Sequence, residues 1–176
     1  MTCPKCQGTG YQPLETGGIS ECMCKLRERA LKYLTPVYAE ENYITKLNAD
    51  LLKGNFILNS SQNPKSLIKS FLLNSGMIYT HQTVSAYDII QAYLTNSEEK
   101  LYNHYRDVGM LVVFLIRDPK NVAYGQVISS LLQSRILSKK ITWIVTQNPI
   151  HSEDFKRMYG SDLSEFLEAE KFKLLK

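Results

Sequence analysis

Cys3, Cys6, Cys22 and Cys24 are residues whose type and spacing could do chemistry. They are all the cysteines of the chain, and they fall into two close pairs, CPKC and CMC, within the first 24 residues. Thiolates one or two residues apart can lie on one side of a tight turn. Two such pairs complete a tetrahedral four-sulfur site, which suits Zn²⁺. Gly8 and Gly10 follow the first pair and permit the positive-φ turns that aim backbone amides at sulfur. Reduced thiols and disulfides are the alternatives. The chain begins MTCPKC with no apolar signal segment. That predicts a reducing, cytoplasmic setting, where clustered cysteines bind metal more often than they pair. Zinc held by four thiolates is structural, because no ligand position stays open for water or substrate.

A second candidate lies at residues 59–66, Asn-Ser-Ser-Gln-Asn-Pro-Lys-Ser, between a predicted strand at 55–59 and a predicted helix at 66–75. A phosphate-binding loop reads G-x-x-x-x-G-K-[ST] in that context. Lys65 and Ser66 fall on its lysine and hydroxyl, while Asn59 and Pro64 replace its two glycines. The glycines let successive amides curl around phosphate. Proline removes one of those donors and fixes φ, whereas asparagine tolerates left-handed backbone and is the milder loss. Outside such a context, the two residues read as an exposed lysine and a helix-start serine.

The elements that must position these residues alternate. Strands are predicted at 55–59, 77–80, 110–116 and 141–146. Helices are predicted at 25–34, 66–75, 85–95 with Ser85 as N-cap, 98–107, 121–137 and 161–172. The order implies a mostly parallel α/β sheet flanked by helices, with ligands expected beyond the carboxyl ends of the strands. The domain reading is a zinc module and its following helix at 1–34, a connector at 35–54, and an α/β domain at 55–176. Met110 to Ile116 is the longest apolar run, far too short to span a bilayer, so no membrane role is expected. Residues 1–50 carry six basic and six acidic side chains, and 51–176 carry fifteen and eleven. That surplus is compatible with nucleic acid without requiring it.

Strand 110–116 runs into Arg117-Asp118 with no acidic pair to hold Mg²⁺. Asp118 reads better as a turn residue before Pro119 than as a metal ligand. Strand 141–146 ends in Thr146-Gln147-Asn148, where a polar side chain can sense a terminal phosphate or simply close the strand.

Taken together, CPKCQGTGY with ECMC, NFILNSSQNPKSLIKSFL, MLVVFLIRD, SSLLQSRILSKKITWIVTQNP and DFKRMYGSDLSEFL resemble the DnaC/DnaI-type AAA+ helicase loaders and their IstB-like relatives. The resemblance covers nearly the whole chain, thinly. It implies that Lys65 and Ser66 match the phosphate lysine and magnesium hydroxyl, and Asn148 the sensor. Arg135 matches the arginine that reaches a neighbouring subunit's nucleotide. The departures are the missing loop glycines, the missing acidic pair, a missing arginine near Gly160 and little room for a lid. They imply a degenerate AAA+ core that does not hydrolyse ATP, and they argue against a dependence on ATP and Mg²⁺.

The function implied is binding of a DnaB-type replicative helicase in DNA replication, with Tyr11, Leu26, Leu31 and Tyr33 as candidate apolar anchors. One alternative is a working ATP-dependent loader. Others are a phage or mobile-element inhibitor, or a single-stranded-DNA-binding adaptor using Lys139, Lys140, Lys156, Arg157, Tyr102 and Tyr105. CPKCQGTG also matches one repeat unit of a DnaJ-type zinc chaperone, a type that needs several copies. Monomer and homo-oligomer are both left open.

Overall fold

In the computed structural model the described residues are 3–34, 36–42, 52, 54–75, 77, 80–95, 99–116, 122–170 and 172–175. The cysteine region is a short antiparallel hairpin, β1 (Tyr11–Pro13) and β2 (Ile19–Glu21), followed by α1 (Met23–Leu31) and α2 (Pro36–Ala39). The larger part runs β3 (Phe56–Asn59), a 3-10 turn at Ser60–Gln62, α3 (Pro64–Ser75), β4 (His81–Ser85), α4 (Ala86–Leu94) and α5 (Glu99–Asp107). It continues with β5 (Met110–Leu115), α6 (Val122–Leu137), β6 (Ile141–Thr146), α7 (Glu153–Tyr159), α8 (Ser161–Ala169) and β7 (Lys173–Leu175).

The five strands of the larger part form one parallel sheet in the order β4-β5-β6-β3-β7, flanked by helices. The α/β expectation is met. Alternation along the strands divides the core into two layers, as the period of two requires. Ile57, Val84, Leu111, Val113, Leu115 and Ile144 face α4 to α8. Phe56, Leu58, Met110, Val112, Trp143 and Val145 face α3, with Ala30 of α1 and Tyr38 of α2 in the same cluster. β5 and β6 are central and buried on both faces, which explains their largely hydrophobic runs.

Two predicted elements are displaced. The second core strand is not at 77–80: neither Met77 nor Thr80 is in a strand, and residues 78 and 79 lie outside the described residues. It spans His81–Ser85, an edge strand in which only Val84 is buried, so its polar composition hides it. The last predicted helix ends at Ala169 rather than 172, and the chain then supplies β7 as the other edge of the sheet. Ser85 does cap α4, through a reciprocal box with Asp88. Residues 35, 43–51 and 53 of the expected connector, and Arg117, Asp118 and Pro119, lie outside the described residues.

Candidate functional site

The four cysteines meet. Their sulfurs all lie within 4.8 Å of one another, with Cys3 Sγ 3.8 Å from Cys22 Sγ and Cys6 Sγ 3.4 Å from Cys24 Sγ. Four thiolates around one Zn²⁺, at bonds of ~2.3 Å, stand about 3.8 Å apart. The donor set and its spacing therefore fit one tetrahedral metal ion. No disulfide joins them. Sequence chemistry shapes the cradle locally. Gln7, Gly8 and Gly10 all take positive φ, which turns the chain back after Cys6. A side chain at Gly10 would press on the Lys25 stem at 2.8 Å. The Cys22 amide donates to the Gly10 carbonyl at 2.8 Å and ties the two knuckles together.

Two of the sulfurs, Cys6 and Cys22, are favoured as thiolates, and Cys24 is disfavoured. Burial opposes ionisation of Cys6, but hydrogen bonds from Cys24 and from the Gly10 and Gly8 amides outweigh it and lower its pKa. The Cys24 amide, aided by the Gln12 side chain at 2.7 Å, brings Cys22 down to about 6. Cys24 is pushed up to about 12 by its sulfur neighbours Cys6 and Cys22. A divalent cation relieves this mutual repulsion, and the closed four-sulfur set gives it a structural rather than catalytic place.

The second candidate lies at the carboxyl edge of the sheet. Asn59 on β3 is the register partner of Thr146 on β6, so loop 59–66 and the turn containing Asn148 are neighbours. Asn148 is half-buried, and its backbone carbonyl accepts from the Thr146 hydroxyl at 2.9 Å. The loop is closed on itself. Asn59 Oδ1 accepts from the Ser61 amide and hydroxyl, Asn63 takes the left-handed conformation (φ 47°, ψ 56°), and Pro64 has no amide hydrogen to offer. Ser66 is buried, accepts from the Asn63 side chain at 3.2 Å and donates to Glu41 Oε2 at 3.3 Å. Lys65 is half-buried beside it.

Arg135 stands elsewhere. It is fully buried at the amino ends of β5 and β6. Its guanidinium donates to the carbonyls of Tyr105, Arg106, Val108 and Ile141 and to the Thr142 hydroxyl, at 2.7–3.2 Å. This corrects the expectation that it reaches outward to a neighbouring nucleotide, because its donors are spent on the last turn of α5 and the entry to β6. Burial lowers its pKa to about 10, leaving it charged at neutral pH.

The chain matches no protein-family model and no curated protein.

Of the residues named for the alternative nucleic-acid track, Tyr105 is buried, and Lys156 and Arg157 pair with Glu153 and Asp154. Among the described residues no helix is long and apolar enough to cross a membrane. Of the candidate anchors, Tyr11, Leu31 and Tyr33 are exposed and Leu26 is half-buried. Lys69 and Glu41 were not singled out in the sequence. No sequence signal marks Lys69, whose burial beside Ile68, Ser70 and Phe71 shows only in the structure.

Proposed function

We propose that this chain is a helicase-loader-like adaptor. A zinc-held N-terminal module binds a DnaB-type replicative helicase, and the α/β domain carries that module without hydrolysing ATP itself. The observation that supports a binding role is the exposure of large apolar side chains around the cysteine cluster and α1. Tyr33 is 58% exposed, and Tyr11, Leu31 and Met23 are each more than 40% exposed. Aromatic and aliphatic anchors of this kind dominate the energetics of protein interfaces. Two features of loop 59–66 support an ATP-independent role. The Ser61 amide is already satisfied internally, and Pro64 cannot donate.

The test is to mix the zinc-loaded protein with a DnaB-type helicase from the same source. Complex mass is then measured by light scattering, with and without ATP. A complex whose stability ignores ATP supports the proposal. No complex under either condition removes it. A strand-loading assay on the same mixture separates recruitment from inhibition.

A further inference from the structure

α2 is only four residues long, too short to persist alone, yet it is held firmly against α3. The Lys69 side chain, 7% exposed, donates from Nζ to the carbonyls of Ala39 at 3.2 Å and Glu41 at 2.6 Å. These are carbonyls at and just beyond the end of α2, where a cation is favoured. Glu41 then turns its carboxylate to the Ser66 hydroxyl at 3.3 Å. Tyr38 between them is fully buried, and its hydroxyl meets that of Thr83 on β4 at 3.1 Å. Two side chains and two backbone carbonyls of one short segment are therefore gripped by α3 and the sheet edge. The same α3 takes Arg27 of α1 through Asn74 Oδ1 at 2.7 Å.

We infer that residues 36–42 are a strap latched by Lys69 and Ser66 onto the start of α3, and that this latch sets how the cysteine module sits on the α/β domain. Ser66, the residue that in a phosphate loop would face a nucleotide's magnesium, here holds the strap's carboxylate. Release of the strap frees the Ser66 hydroxyl at the end of loop 59–66 and leaves α1 held to α3 by Arg27 and Asn74 alone among these polar contacts. The inference does not depend on any partner.

Hydrogen exchange on the zinc-loaded full chain tests it. Lys69→Met keeps the apolar stem and removes the ammonium, and Glu41→Gln and Ser66→Ala weaken the second grip without altering size. The expected result is a rise of about tenfold or more in exchange at amides 37–42 in Lys69→Met, the ratio that losing charge-assisted hydrogen bonds produces. A smaller rise is expected in the two milder variants, with β5 and β6 amides unchanged. Unchanged exchange at 37–42 in the variants that fold overturns the inference. So does loss of protection there only in step with β5 and β6, because that is global unfolding rather than release of a strap. If Lys69→Met does not fold, Glu41→Gln and Ser66→Ala decide by the same criterion.

Discussion

The Asn59 side-chain oxygen accepts both the amide and the hydroxyl of Ser61, at 2.9 and 2.8 Å. The arrangement is an N-cap of the 3-10 turn that follows β3. It takes up a donor that a phosphate cradle would turn toward its ligand. Asn59→Ala should cost about 1 kcal/mol of stability, the usual loss for a removed cap. Millimolar ATP should leave the melting temperature of both proteins unchanged. A clear upward shift with ATP in the parent protein would return the loop to nucleotide binding, since a ligand that binds only the folded state must raise stability.

The four-cysteine cluster was legible because chemistry and spacing coincide there: two close pairs, the first followed by the glycines that the turns need. β5 and β6 were legible because both of their faces are buried, so β5 is apolar throughout and β6 is apolar but for Thr142 and Thr146. What escaped was information carried by tertiary context. β4 is an edge strand with the composition of a loop, and α3's Lys69 reads as an ordinary surface lysine until its carbonyl partners are known. The close packing at Gly125 inside α6 is likewise tertiary. A side chain there would lie 2.3 Å from the Met158 carbonyl, so the glycine lets α7 approach closely. Arg135 carried the opposite error, because motif position suggested an outward role and packing gave it an inward one.

Cys22 is the cysteine most embedded in the cluster, with its amide on the Gly10 carbonyl and its sulfur on Gln12 and Cys3. Cys22→Ser should abolish the single equivalent of bound zinc measured by elemental analysis. It should also remove hydrogen-exchange protection across residues 3–22, because small metal modules do not fold without their ion. β5 and β6 should keep theirs. Chelation of the parent protein should reproduce the same local pattern. Retained protection after metal loss would mean that the hairpin holds itself together and that the metal is incidental.

Tyr33 and Tyr11 are exposed, and Lys25 Nζ sits 4.0 Å over the Tyr11 ring, so replacing either with alanine should cost no more than about 1 kcal/mol of stability. If they anchor the helicase, each should weaken the complex by about tenfold or more. The comparison to make is light-scattering titration beside urea unfolding on the same preparations. A helicase affinity indifferent to both substitutions would move the contact away from this face.

Burial pushes the Tyr38 hydroxyl well above the ordinary tyrosine pKa, and the bond with Thr83 offsets only part of that. The folded protein therefore keeps this proton where the unfolded chain gives it up. The resulting stability is complete below about pH 10, the unfolded value, and drains as pH rises beyond it. Tyr38→Phe should cost about 1 kcal/mol at pH 7 for the lost hydroxyl bond. The gap between variant and parent should narrow at pH 11. Urea midpoints at the two pH values measure it, and a constant gap would show that Tyr38 titrates with the solvent.

Arg135 offers the sharpest contrast between a structural and a partner-facing arginine. Its guanidinium satisfies four backbone carbonyls and one hydroxyl where α5, β5 and β6 converge. Arg135→Ala removes the guanidinium from four carbonyls, buried at Tyr105 and partly buried at the other three, and a buried loss costs roughly 1–3 kcal/mol before relaxation. The expected destabilisation is therefore about 3–5 kcal/mol, enough to unfold a domain of ordinary stability near physiological temperature. Arg135→Lys keeps the charge but cannot reproduce the planar fork, so it should recover less than half of that loss. Urea unfolding of the isolated protein, without nucleotide or partner, is the measurement. An Arg135→Ala protein as stable as its parent would mean that these bonds contribute little. The residue would then again be a candidate for contact with a neighbouring subunit.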